Sequence, residues 1–183
     1  MSAHLSEAET LMDISGFCTD DMEHIRHLGG HLLPRIPALT DSFYERLLAN
    51  ESTRPYLEGR TELLKKTHIA WLADVIAGDY GKTFRDRQRH IGEVHVAAGI
   101  PPLFVAASMS FLRGAFSEEI EMAAKSAGEP SGRCTAAVLR LLDLCQYLID
   151  SAYEAERMRR LTNATGMSTP LLNNLIGLKP KAA

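Results

Sequence analysis

The chain has 183 residues, 45% of them hydrophobic and 23% charged, which suits one globular domain and leaves no room for a second catalytic domain. Twenty basic and 23 acidic residues give a net charge of −3, so nucleic acid is excluded as a main partner. The apolar runs stop short of the roughly 20 residues that cross a bilayer, and no export signal opens the chain. Three cysteines without a C-x-x-C pair predict neither a disulfide framework nor a thiolate metal site. We therefore expect a cytoplasmic protein that binds neither nucleic acid nor membrane.

Apolar residues recur at helical spacing almost throughout the chain, which predicts an all-α fold. The pattern predicts Thr19 as the N-cap of the first clear helix, and glycines and prolines break the pattern between later helices. The predicted helices run from Thr19 to the region of Gly29, Gly30 and Pro34, and then over about 36–49, 61–77, 82–98, 103–126 and 133–161.

The last two predicted helices are long and form a hairpin. The final helix carries a wider apolar stripe than a small bundle needs to bury on one side, which predicts a homodimer formed through this hairpin. The stripe consists of Val138, Leu141, Leu142, Cys145, Leu148, Ile149 and Ala152. Residues 1–14 are predicted to be an N-terminal segment, 15–162 the domain, and 163–183 a linker or docking tail with an apolar island at 171–178.

Five of the seven histidines have ordinary explanations. His24, His27 and His31 share one helix flank, a spacing that allows a surface metal site or a pH-sensitive patch. No carboxylate partner is evident in the sequence, so a solvated helix face explains the same pattern. His4 lies in the N-terminal segment, and His90 lies among arginines, where we expect it to face solvent.

His95 and His68 differ because they lie on apolar helix faces. His95 follows Ile91 on its stripe and precedes a Gly-x-Pro-Pro turn, and His68 occupies a similar place on the preceding helix. Each is either a hydrogen-bonded core residue or a ligand, and an iron porphyrin requires such a neutral imidazole in an apolar slot. The sequence contains no zinc-protease, serine-hydrolase, P-loop or dinucleotide-binding motif. A di-iron bundle needs a Glu-x-x-His motif on each of two helices, and the sole near match here is Asp21 with His24.

Three separated motifs resemble one known family. The segment IGEVHVAAGIPP at 91–102 resembles the proximal signature of the sensor globins, the haem domains of bacterial globin-coupled sensors and their single-domain relatives. The Phe43-Tyr44 pair resembles their distal helix, and Leu63-Leu64-Lys65 with Trp71 resembles the helix that follows. The resemblance extends from about residue 15 to 162.

The resemblance implies a globin fold with an additional N-terminal helix and a haem b group. It makes His95 the proximal iron ligand and Tyr44 a hydrogen-bond donor to bound gas. Leu64 would then keep the distal side dry, Thr67 would be a weaker second donor, and His68 would be either a rim or core residue or a competing iron ligand. The other residues expected to line the haem are Phe43, Trp71 and Ile91. Some family members carry a tyrosine just after the proline turn, where this chain has Leu103-Phe104-Val105.

The function implied by the resemblance is non-enzymatic sensing of a gas, with O2 first and CO or NO as alternatives. The signal would pass through the dimer or to an output protein, because this sequence does not contain the cyclase, kinase or chemotaxis module usual in the family. The chain is then either a single-domain sensor globin or the sensor half of a longer protein. Two other functions remain open at this stage. One is a protective globin that turns over nitric oxide or reactive oxygen species with a reductase, and the other is a haem-free interaction module in which His95 is dispensable.

Overall fold

The computed structural model describes residues 6–177, and in that part of the chain every regular element is a helix, as the apolar periodicity predicts. None of these helices is long and apolar enough to cross a membrane. Short 3-10 turns at Leu33–Arg35 and Arg54–Tyr56 lie on either side of the third helix. The α-helices are α1 (Glu7–Ser15), α2 (Thr19–Leu32), α3 (Ile36–Ala49), α4 (Thr61–Val75), α5 (Lys82–Ala97), α6 (Pro102–Ala127), α7 (Ser131–Thr165) and α8 (Thr169–Gly177).

Several helix ends follow from local chemistry. Ser6 and Glu9 form a capping box at the start of α1. Gly128 ends α6 with φ 72°, a left-handed conformation that glycine adopts without a Cβ penalty. By contrast, α2 does not stop at its glycines and continues to Leu32. A Cβ at Gly29 would lie 3.4 Å from the Ile76 carbonyl oxygen, an ordinary contact, so this glycine lies inside α2 against the residue that follows α4.

The centre of the fold is α7, which packs against α1, α2, α5, α6 and α8. Helices α3 and α4 pack against each other at one side. Leu141, Leu142 and Leu148 on α7 have no exposed surface, because other helices of the same chain cover them. The expectation that one chain cannot hide this stripe is therefore wrong, and the stripe gives no reason for a dimer.

Both ends of the described chain add a short helix to α7. In α1, Ala8 is buried and Glu7 accepts a hydrogen bond from the Tyr147 hydroxyl of α7. In α8, Leu172 is buried, so part of the predicted linker or docking tail folds back as a helix. His4 and the last residue of the apolar island lie outside the described residues.

Candidate functional site

His95 is half-buried in the last turn of α5, with its backbone fixed by the turn that follows. Gly99 adopts a left-handed conformation (φ 67°), and the Ile100 amide donates to the His95 carbonyl at 2.9 Å. The side-chain Nδ1 is buried and has no hydrogen-bond partner among residues 6–177. Burial lowers the pKa of His95, and the nearby Ile91 carbonyl only partly opposes that shift. The ring is therefore a neutral imidazole, which the Ile91 carbonyl of its own helix holds only loosely.

Gly92, one turn before His95, brings the backbone of α5 directly against α7. A Cβ at this position would lie 2.3 Å from the Ile149 carbonyl oxygen and 2.9 Å from the Tyr153 amide nitrogen. Only glycine fits such a contact. The contact therefore fixes the position of α5 along α7. The sequence shows the glycine within the signature, but not the residues that require it.

Two tyrosine hydroxyls hold the turn that follows His95. Tyr56 donates to the Gly99 carbonyl at 3.3 Å, and Tyr153 of α7 donates to the Ile100 carbonyl at 3.1 Å. The sequence offers no hydroxyl just after the prolines, and the structure supplies two from distant segments. Sequence reasoning missed both because they lie 43 and 53 residues from their partners.

Tyr44 lies on α3 in a small apolar cluster separate from the main core. Phe43, Tyr44 and Leu57 are buried there, and Leu64 of α4 and Phe111 of α6 pack against them. Burial raises the pKa of Tyr44 to about 12, so the phenol keeps its proton at physiological pH. No hydrogen bond occupies the Tyr44 hydroxyl within residues 6–177, which leaves it free to donate to a ligand.

His68 of α4 joins this cluster through its ring. Its Nδ1 lies 3.1 Å from the Thr40 hydroxyl, its ring stacks on Phe43 at 4.9 Å between centroids, and the Tyr44 ring lies 5.8 Å away. Burial lowers the pKa of His68 to about 4, so this imidazole is neutral as well. Thr40, a fully buried partner, was not identified from the sequence.

Trp71 links α4 to α5 near their connection. Its indole nitrogen donates to Gln88 Oε1 at 2.7 Å, and Gln88 has no exposed surface. Thr67 is exposed and donates to the Leu64 carbonyl at 2.8 Å, so its hydroxyl does not join Tyr44. Ile91 packs against the main core rather than the Tyr44 cluster.

The residues predicted to contact the haem thus fall in two separate places. Phe43, Tyr44, Leu64 and His68 lie together on α3 and α4, and His95 lies on α5, which packs on α7. Two surface grooves border α7, and neither includes any of these residues. A neutral imidazole and a separate apolar cluster are both features that a histidine-bound porphyrin iron uses.

Comparison with known proteins agrees with this architecture. The structure is similar to the globin domain of the Geobacter sulfurreducens globin-coupled sensor, with a TM-score of 0.73 and 23% sequence identity over 82% of this chain and 99% of that chain. This likeness confirms the globin fold expected from the sequence. No curated protein matches the sequence. The Protoglobin family model matches residues 5–159, which is most of the chain. The chain therefore belongs to the Protoglobin family.

Proposed function

We propose that this protoglobin binds haem b through His95 and senses a diatomic gas, with O2 as the main ligand and CO and NO as alternatives. The observation that carries the proposal is the buried imidazole of His95, whose Nδ1 makes no hydrogen bond of good geometry within residues 6–177. A buried polar atom left unpaired costs about 1–3 kcal/mol, so such an arrangement indicates a role beyond packing. The family and the globin fold point to haem as the group that the His95 imidazole binds.

The residues present fit a haem. A histidine that binds haem iron must be neutral and rigidly held, and burial keeps His95 neutral while the contact of Gly92 with α7 fixes its helix. Haem b, when bound, would supply a ferrous iron that can bind a diatomic gas. His68 bonds to Thr40 and stacks on Phe43, contacts that support a packing role over a second iron bond.

Tyr44 is the residue that we assign to ligand discrimination. Its protonated hydroxyl can donate to a ligand that carries partial negative charge, and such charge-assisted bonds are about twice as strong as neutral ones. A ligand with little charge, such as CO, gains less from the same donor. The apolar residues around Tyr44 would exclude water that could compete for the hydroxyl.

The route for a signal is the turn after His95. A change in the position of the His95 ring acts on the end of α5 and on the Gly99-Ile100 turn, which Tyr153 ties to α7. Because α7 is the longest helix and carries the main core contacts, displacement there would reach the outer faces of α6 and α7. We propose that a second copy of this chain, or an output protein, reads those faces.

The absorption spectrum of the purified protein tests this function. We expect a Soret band that shifts on reduction and again with O2 and with CO, with reversible recovery after the gas is removed. His95→Ala should abolish the band, and His90→Ala, on the same helix with its side chain 72% exposed, should retain it. Colourless wild-type protein would favour a haem-free module, and rapid oxidation with turnover of nitric oxide or peroxide would favour a protective globin.

A further inference from the structure

A cluster of potential metal ligands lies outside the proposed haem site, where α2 meets the connection between α6 and α7. His24 and His27 lie one turn apart on α2, and their Nδ1 atoms are 2.9 and 3.0 Å from the two carboxylate oxygens of Glu129. One ligand atom each from His24, Glu129 and Cys134 lie within 4.8 Å of one another. The expectation that these histidines lack a carboxylate partner is therefore wrong, because Glu129 contacts both of them. The sequence does not reveal this partner, since it lies 105 residues from His24.

We propose that His24 Nδ1, one carboxylate oxygen of Glu129 and Cys134 Sγ bind a zinc ion at this point. Zinc accepts this mixture of nitrogen, oxygen and thiolate ligands, and water would complete the usual four-coordinate site. His27 holds the second carboxylate oxygen, as residues beside metal ligands commonly do, and thereby orients Glu129. His31, the third histidine of the flank, is exposed and takes no part.

The support for the ligands is rigid. Ile25 and Leu28 fix α2 in the core with no exposed surface, and Cys134 is likewise fully buried in the first turn of α7. The side chains of His24 and Glu129 are each 20% exposed, so an ion can enter from solvent. A solvated helix face would not bring a buried cysteine and a shared carboxylate to the same point.

Cys134 must lose its thiol proton when it binds zinc. Without a cation, burial and the nearby carboxylate of Glu129 raise the pKa of the Cys134 thiol. A divalent ion reverses this preference, because its charge stabilises the thiolate and offsets the carboxylate. Binding therefore breaks the S–H bond of Cys134 and releases one proton to the buffer. The 2.9 Å contact with Glu129 places a proton on His24 Nδ1 in the metal-free protein. On zinc binding this proton passes through solvent to Nε2 of the same ring, and the Nδ1 lone pair then binds the ion.

Two measurements on the purified protein test this site. Isothermal titration calorimetry with Zn2+ gives the stoichiometry and the affinity. X-ray absorption at the zinc edge, to which haem iron does not contribute, gives the ligand distances. We expect one ion per chain, release of about one proton, and one Zn–S distance of about 2.3 Å with the other ligands near 2.0–2.1 Å. His24→Gln and Cys134→Ser should each weaken binding at least tenfold, and His27→Gln should weaken it by roughly 10- to 100-fold.

The matched control is His90→Gln, which removes another histidine paired with a glutamate, Glu93 at 3.3 Å, on an exposed helix face. Its zinc affinity should equal that of the wild type. Because Cys134 is buried, circular dichroism must show that Cys134→Ser folds, and the more exposed His24→Gln variant provides an independent result. Absence of sulfur from the zinc coordination, or unchanged affinity in His24→Gln, would overturn the proposal.

Discussion

Gly92 lies so close to Ile149 that a Cβ on residue 92 would be 2.3 Å from the Ile149 carbonyl oxygen. Gly92→Ala therefore forces α5 away from α7, and overpacking of this kind costs about 1–3 kcal/mol. We expect a melting temperature lower by about 2–12 °C, since 1 kcal/mol shifts a domain of this size by about 2–4 °C. Haem retention should fall as well, because His95 moves with α5.

Gly114→Ala is the matched control for this experiment. Gly114 also lies inside a helix, but a Cβ there meets no atom within 4 Å. Alanine is the better helix former by about 1 kcal/mol, so this variant should be as stable as the wild type or more stable. Equal thermal stability of Gly92→Ala and the wild type would show that the helices do not touch at residue 92.

Tyr44→Phe should raise the O2 dissociation rate much more than the CO dissociation rate. Loss of one charge-assisted hydrogen bond is worth about 1.5–3 kcal/mol, or roughly ten- to hundredfold in rate. Stopped-flow measurements on the ferrous protein give both rates. Thr67→Val should change neither, because the Thr67 hydroxyl already donates to the Leu64 carbonyl.

The ring of His68 lies beside that of Tyr44 and is the nearest replacement donor in the cluster. Tyr44→Phe should therefore also be measured together with His68→Leu, which removes that donor. The same O2 dissociation rate in the wild type, the single variant and the double variant would mean that Tyr44 does not contact the ligand.

Acid should destabilise the haem-free protein through His68. Its pKa of about 4 in the folded protein lies below the ordinary value of 6.5, so between these pH values the unfolded chain binds more protons. The free energy of unfolding then falls as the pH drops from about 6.5 to 4, by at most about 3 kcal/mol from this group. Urea unfolding at pH 7 and pH 4.5 measures the difference, and His68→Leu should reduce it. His95 remains in both proteins and contributes equally.

A homodimer, if formed through the α6–α7 hairpin, must use its outer face, because the apolar stripe of α7 is covered within the chain. Leu103 at the start of α6 is 69% exposed, so Leu103→Glu should shift a dimer towards monomer in sedimentation velocity. Ile14→Glu, at a residue that is 81% exposed on α1, should leave the association state unchanged. A charge at Leu141 should instead impair folding, since Leu141 has no exposed surface.

The sequence alone predicted the helical architecture and the residues proposed for the site. Apolar periodicity predicted six of the helices, and the Gly99 and Pro101 signals place the end of α5 and the start of α6. The motif around His95 pointed to the globin fold, which the structure confirms. Tyr44 and His68 were both selected from the sequence as candidate site residues, and the structure places their rings 5.8 Å apart. These features are readable because helix ends, turns and motifs depend on residues close together in the chain.

The tertiary structure decided what lies against each helix face. Periodicity shows that α7 has a wide apolar stripe, but it does not show that α2, α5 and α6 cover it. The contact of Gly92 with Ile149, the bond from Tyr153 to Ile100 and the meeting of His24 with Glu129 all join segments more than 50 residues apart. Local sequence rules carry no information about such pairs, because the packing of whole helices sets their distances.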